Sequence, residues 1–230
     1  MKNLKVLYED NQIIVVEKNA NIPTQSDKTG DKDMLTIVKE YIKVKYNKPG
    51  NVYLGLVHRL DRPVGGVMVF ARTSKAASRL SEQVRNKTFK KTYLAIVTGK
   101  MEQANGVLED YLWKDEKNNT SYVVKEGKKN SKLARLKYKT LKYFENENLS
   151  VLKIELETGR HHQIRVQLSN QKHAIYGDVK YHGRSSKDYL YLWAYKLTIE
   201  HPVTKEKMTF TDLPEFKGKW SLLREIGDNF

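Results

Sequence analysis

The chain reads as an α+β protein, a mixed, largely antiparallel β-sheet with a few flanking helices. Segments that alternate apolar and polar residues far outnumber segments with helical spacing. The stretches between them are too short for repeated βαβ units, which argues against a parallel, doubly wound sheet. No internal repeat, low-complexity linker or composition break divides the chain, so residues 1–230 are expected to form a single domain.

Leu4 to Tyr8 and Ile13 to Glu17 are expected as two strands joined by a turn at Asp10-Asn11. The β-branched residues Ile14, Val15 and Val16 favour the second of them. Asn19 to Asp33 is polar and rich in turn residues. Met34 to Ile42 has apolar residues at helical spacing, with Asp33 placed to cap it, and Pro49-Gly50 ends that region. Gly66 to Arg72 is an apolar strand. Ser74 then caps a helix running to Arg85, with Ala76, Ala77, Leu80 and Val84 on one face. Lys91 to Thr98 is a strand that closes at Gly99. Val107 to Trp113, Ser121 to Lys125, Ala134 to Tyr143 and Leu149 to Thr158 alternate apolar with polar residues, with a basic turn tip at Glu126 to Asn130. Gly159-Arg160 leads into a short helix, His162 to Asn170. Tyr189 to Glu200 and Lys207 to Phe210 are the last strands, with His201 to Thr204 as the turn between them.

The formal net charge is +15. A lysine-rich composition alone accounts for such a charge without any particular partner, but its distribution says more. Residues 125–142 hold eight Lys or Arg and one acid, Glu126; residues 85–100 hold five Lys or Arg and no acid. Phe89, Tyr93, Tyr122, Tyr138 and Tyr143 lie within or beside these stretches. Cations interleaved with aromatics suit phosphate contacts and base stacking, so the expected partner is RNA. Cysteine is absent, which excludes disulfides and thiolate metal sites. No apolar stretch approaches the ~20 residues of a membrane span. The first ten residues lack the apolar core of a signal peptide, and the expected location is the cytoplasm.

The richest segment is Gly55 to Thr73. It sets His58, Arg59, Asp61 and Arg62 beside Pro63 and the pair Gly65-Gly66, ahead of an apolar strand. One reading is that Asp61 merely pairs with Arg59, Arg62 or Arg72, as most surface carboxylates beside arginines do. The other is functional: Pro63 stiffens the backbone where the charges sit, and Gly65-Gly66 permits close approach, which suits a reactive carboxylate held in place. The second constellation is Thr158 to Leu168. As a helix it would put His162 and Arg165 on one face and Ile164 and Leu168 on the packed one. Its cations and amides suit anion capture, although by pattern alone a solvated polar face fits slightly better. His161 and His162 are adjacent and cannot both turn to one ion from a helix, and no His-Glu-x-x-His run exists, so no metal is expected. His58 to Asp61 has the wrong order for a kinase catalytic loop, and no Walker spacing is present.

His58-Arg59-Leu60-Asp61-Arg62-Pro63, with Gly66 and Phe70-Ala71-Arg72-Thr73, resembles the signature of the RluA-type RNA pseudouridine synthases. Leu7 to Asn11 with Ile14 to Lys18 resembles that family's opening strands, and Lys91 to Ala95 its Lys-x-Tyr-x-Ala strand. Thr158-Gly159-Arg160 with His162 to Arg165 resembles its third motif. Tyr176-Gly177-Asp178 and Leu192 to Pro202 match its closing portion. The likeness runs from Leu7 to Phe210. The departures are Gly65 where the family usually has Ser, Lys18-Asn19 for Lys-Pro, and Lys172 and Ala174 for a Gly and a Pro.

The resemblance implies a mixed sheet with a central RNA cleft. It implies conversion of a uridine to pseudouridine in ribosomal or transfer RNA, with no cofactor; the chain is taken to act as a monomer, which the sequence does not determine. It makes Asp61 the catalytic aspartate, Tyr93 the ring that packs on the target base, and Arg165 the cation that pairs with the aspartate. Leu192 becomes the apolar residue under the base, and His58, Arg59, Arg62, Arg160, His162 and Gln163 the remaining substrate contacts. Without the resemblance, Tyr93 and Leu192 read as ordinary core. The S4 RNA-binding domain common in the family is expected to be absent. The chemistry asks for a flipped base and an ionised carboxylate that attacks C1′ or C6, or stabilises a cationic sugar. Two rival readings stand beside it. One is a non-catalytic RNA-binding or ribosome-assembly protein on the same fold. The other is a nucleoside or glycoside hydrolase, for which a second carboxylate is missing.

Overall fold

The computed structural model describes residues 4–183, 189–227 and 230. In chain order its strands and helices are β1 (Val6–Glu9), β2 (Ile13–Lys18), α1 (Met34–Lys45), β3 (Gly55–Leu56), β4 (Gly65–Ala71), α2 (Ser74–Arg85), β5 (Lys90–Thr98), β6 (Asn105–Asp115), β7 (Thr120–Val124), β8 (Lys132–Phe144), β9 (Leu149–Leu156), α3 (Gln163–Asn170), β10 (Leu192–Glu200) and β11 (Lys207–Thr211). Short 3-10 segments lie at Val179–Tyr181 and Gly218–Glu225. Strands dominate, and β1–β2, β2–β4, β3–β4, β5–β9, β9–β8, β8–β6, β6–β7 and β10–β11 all pair antiparallel, as the expected fold class requires. The first strand, expected over Leu4 to Tyr8, runs from Val6 to Glu9. The chain gathers into two compact units, Met1–Lys90 with Ala194–Leu213 and Lys91–Trp193 with Pro214–Phe230.

In the first unit the strand order is β1-β2-β4-β10, with β3 beside β4 and β11 beside β10. The β1–β2 turn forms because the Asp10 carboxylate accepts the backbone N–H groups of Gln12 and Ile13 (2.7 and 2.8 Å). Ile13, Val15, Val67, Val69 and Ala71 pack with Ala76, Leu80, Phe89, Leu197 and Ile199 in one buried cluster. Asp33 caps α1 through the Thr36 N–H, as expected, and Met34, Val38 and Ile42 face inward. The cap of α2 is Thr73 rather than Ser74, with its hydroxyl accepting the Ala76 N–H at 3.1 Å. Val84, expected on the packed face, is 36% exposed; Gln83 is buried instead, because its side-chain amide bonds both the carbonyl and the N–H of Glu200. Gly66 has φ +121°, and a Cβ there would overlap the Ala194 carbonyl, so only glycine lets β4 and β10 come this close.

In the second unit the order is β5-β9-β8-β6-β7. The expected strands lengthen by one or two residues at several ends, because β6 and β8 keep pairing into polar flanks from Asn105↔Lys139 to Leu112↔Lys132, while the strand expected to reach Thr158 ends at Leu156. One face of β6, β7 and β8 packs Leu112, Val123 and Ala134 against Val166 of α3 and Tyr181. Leu192, Trp193 and Tyr191 are buried at the start of β10, with Tyr191 bonding Ile96 and Tyr176 through its backbone.

Candidate active site

Asp61 sits in a tight turn of the first unit, closed by the Val64 N–H on the Asp61 carbonyl at 3.0 Å. The turn rests on Lys18, whose side chain is fully buried. The Lys18 ammonium donates to the carbonyls of Asn19, Arg62 and Val64 at 3.2, 2.9 and 2.7 Å. Burial pushes its pKa down to about 7, while the Asp61 carboxylate pulls in the opposite direction. Thr24 holds the incoming strand, its hydroxyl donating to the Leu60 carbonyl at 2.8 Å, and His58 Nε2 accepts the Val69 N–H at 3.1 Å. Two of the arginines that the sequence sets near Asp61 bond other groups. Arg62 pairs with Asp31 and with Asp27 (3.4 Å), and Arg72 donates to the Asp10 carbonyl and lies over the Tyr46 ring. Arg59 is exposed.

Lys18 is the support that the sequence did not reveal. Lys18→Met is expected to take one donor from the Asn19, Arg62 and Val64 carbonyls, the first two of which keep the N–H groups of Ile22 (3.5 Å) and Asn21 (2.8 Å), and to cost roughly 1–3 kcal/mol, about 3–10 °C in melting temperature for a chain of this size. The deficit should also depend on pH. The folded value of about 7 lies below the ordinary 10.5, so between these the unfolded chain binds the extra proton and stability rises with pH. The advantage of the parent over Lys18→Met is therefore expected to widen from pH 7 to 10 in denaturant titrations. Equal melting temperatures would remove Lys18 as the support of the turn.

The second constellation belongs to the second unit. His162 is not helical but caps α3 in a left-handed conformation (φ 52°). Six consecutive residues, Gln163 to Leu168, are then buried, so the solvated polar face suggested by pattern is absent. Arg165 makes a bidentate pair with Asp178, Nε and Nη2 each donating at 2.7 Å, and both side chains are almost fully buried. His162 bonds the Tyr181 hydroxyl through Nδ1 at 2.8 Å and stacks on His161 at 3.7 Å. Burial, with the Arg165 charge next, pushes its pKa down to about 2. His162 is thus held toward its neutral form. Gln163 Oε1 accepts from the Thr158 hydroxyl (2.7 Å) and the Arg160 N–H (3.1 Å), while its Nε2 is buried with no hydrogen-bond partner among the described residues. A buried donor in that state is suited to a ligand acceptor. Arg160 is exposed and anchored by Nε to the Leu133 carbonyl at 2.9 Å. Tyr93, opposite Ile154 on β9, is 6% exposed and Leu192 is 4% exposed, an environment that suits core packing and a base sandwich equally.

The structure therefore brings His58, Arg59, Asp61 and Arg62 together in the first unit, on Lys18 and Thr24. It brings Arg160, His162, Gln163 and Arg165 together in the second, on Asp178 and Tyr181; Tyr93 and Leu192 belong to that unit too. Asp178 was readable only as part of the Tyr176-Gly177-Asp178 segment, with nothing in the sequence to say which cation it meets.

Residues 12–170 match the family model described as RNA pseudouridylate synthase, a span that takes in the Asp61 turn, Tyr93 and Arg165. The chain is 34% identical over 205 residues to the uncharacterized RNA pseudouridine synthase YhcT of Bacillus subtilis, covering 88% of this chain and 66% of that protein. It is 35% identical over 188 residues to the ribosomal large subunit pseudouridine synthase D of Nitrosomonas europaea, covering 80% of this chain and 51% of that one. The chain thus spans about half to two thirds of these two relatives. Its fold is similar to that of human RNA pseudouridylate synthase domain containing 4, with a TM-score of 0.76 at 22% identity over 92% of this chain and 89% of that one. With the motifs, the strand order and the matched span in agreement, the chain belongs to the RNA pseudouridylate synthase family, in its RluA-type branch.

Proposed function

We propose that residues 1–230 act as one catalytic domain that isomerises specific uridines to pseudouridine in structured RNA. The observation that carries this reading is that the family match runs unbroken through the Asp61 turn, Tyr93 and Arg165, with each candidate catalytic residue present. In the reaction the N1–C1′ bond breaks, the uracil turns, and a C5–C1′ bond forms; C5 gives up its proton and N1 gains one. Nothing is oxidised, so no cofactor is called for. The target base leaves its stack to be reached. Asp61 supplies the carboxylate on which bond breaking depends, whether by attack or by stabilising a cationic sugar. Tyr93 offers a ring face to the free uracil and Arg165 a fixed positive charge. His58, Arg59, Arg62, Arg160, His162, Gln163 and Leu192 contact the flipped nucleotide and its neighbours. The large-subunit name of the Nitrosomonas relative favours ribosomal over transfer RNA. The protein works in the cytoplasm as a monomer.

Tritium release from RNA carrying 5-tritiated uridine tests this directly, because C5 loses its hydrogen only when the new glycosidic bond forms. Release is expected with ribosomal RNA. RNA binding without release would favour the non-catalytic RNA-binding alternative. Affinity is expected to fall steeply between about 50 and 200 mM salt as Lys and Arg displace counterions from phosphates. A flat salt profile would exclude RNA as the ligand.

A further inference from the structure

The sheet of the second unit carries two faces of different character. Toward α3, Leu112, Val123 and Ala134 are covered. On the other face the alternation of β6 places Tyr111 and Trp113, with their cross-strand partners Val124 and Tyr122 on β7 and Leu133 on β8. Trp113 and Tyr122 stand directly opposite one another, with rings stacked at 6.2 Å and 28°. Tyr122 is 46% exposed and Leu133 41%. The Lys128 ammonium lies 4.0 Å above the Trp113 ring.

The surrounding charge is mainly positive. Residues 125–132 between β7 and β8 bring Lys125, Lys128, Lys129 and Lys132 with one acid, Glu126, which accepts the Tyr111 hydroxyl at 2.6 Å. Of the other acids beside this face, Glu109 pairs with Arg135 (2.6 Å), Glu157 pairs with Arg135 and Lys137 (3.0 Å each), and Asp115 accepts the Lys117 N–H (2.9 Å) and the Asn118 side-chain amide (2.6 Å). Arg160, tied to the Leu133 carbonyl, adds a guanidinium at the edge. Of the aromatics in and beside the basic stretches, Phe89, Tyr93 and Tyr138 are buried and Tyr143 is half-buried under the Lys100 ammonium, which leaves Tyr122 as the exposed ring among them.

We propose that the Trp113–Tyr122 face of the second unit is a further RNA-contacting surface, on which unpaired nucleotides of the RNA stack. The inference rests on the reading of RNA as the ligand. Exposed rings on a sheet, ringed by lysines, suit single-stranded bases of any sequence, because every base offers a π-face. A protein-binding face would instead be depleted in lysine at its centre. On binding, a base takes the place of Lys128 over the indole and the ammonium moves to the adjacent phosphate.

The test uses the full chain and fluorescently labelled oligoadenylate, which contains no uridine and cannot be turned over. Single-stranded oligoadenylate is expected to bind, with affinity falling about tenfold in Tyr122→Ala or Trp113→Ala and staying close to the parent in Tyr122→Phe. Lys128→Gln is expected to weaken binding and to reduce the salt slope by about 0.7, one single-strand phosphate contact. Should Trp113→Ala fail to fold, Tyr122→Ala and Lys128→Gln carry the test. Unchanged affinity in those two would overturn the platform. So would a Tyr122→Ala variant that binds normally but loses a dimer in sedimentation, which would assign the face to a second copy of the chain. Tritium release with no oligoadenylate binding would sink the platform and spare the isomerase. Platform effects without tritium release would do the reverse.

Discussion

Asp61→Asn is expected to abolish pseudouridine formation, lowering the rate by at least roughly three orders of magnitude, about 4 kcal/mol in the barrier, while RNA binding stays within a few fold. The amide matches the carboxylate in size, and the backbone bonds of the turn do not use the side chain. The Val64 N–H bonds the residue's own carbonyl, and Lys18 bonds the carbonyls of Arg62 and Val64. What the substitution removes is the negative charge that both attack and electrostatic stabilisation require. It also removes the pull that opposes burial at Lys18, so the Lys18 ammonium is expected to release its proton still more readily. Tritium release together with mass spectrometry of the digested RNA measures the first effect, and filter binding the second. Turnover near the parent rate would take Asp61 out of the chemistry altogether.

The parts of the fold that were legible are those set by local pattern. Alternation found the strands, and Asp33 and Asp10 announced a helix cap and a turn through short-range side-chain bonds. What was hidden depends on partners far along the chain. A lysine after the apolar run Ile13 to Val16 looks like a solvated strand end; it is buried because carbonyls more than 40 residues away accept its protons. Gln83 displaces Val84 from the packed face because Glu200 offers it both a donor and an acceptor. The sequence Gln163 to Leu168 has no amphipathic period, since nearly every side chain there is enclosed, so pattern reading favoured solvent. That His162 is held toward its neutral form could not be read from the sequence, because burial and the Arg165 charge, which act on it together, come from the fold. The candidate site was recognised through ordered motifs; its supports, Lys18, Thr24, Asp178 and Tyr181, were not, because each acts through a buried contact that spacing does not encode.

The Arg165–Asp178 pair separates catalysis from stability. Arg165→Ala is expected to lose about 3–5 kcal/mol of stability, because it strands a carboxylate that is 1% exposed. Loss of activity in that variant would by itself be ambiguous. The double variant Arg165→Met/Asp178→Leu removes both charges and refills the volume, and such replacements of buried ion pairs are often neutral or stabilising. Its denaturation midpoint is therefore expected to return close to that of the parent. On the role proposed for Arg165, tritium release is expected to stay depressed at least about a hundredfold, since the fixed positive charge it would offer the substrate is gone. Asp178→Asn completes the series. It keeps a hydrogen-bonding partner for Arg165 at reduced strength, so it should cost stability while leaving the guanidinium in position. If the double variant folds and turns over at the parental rate, Arg165 holds α3 to Asp178 and does nothing for the reaction. If activity instead follows the guanidinium across all three variants irrespective of stability, Arg165 belongs to the chemistry, and Asp178 is the residue that positions it.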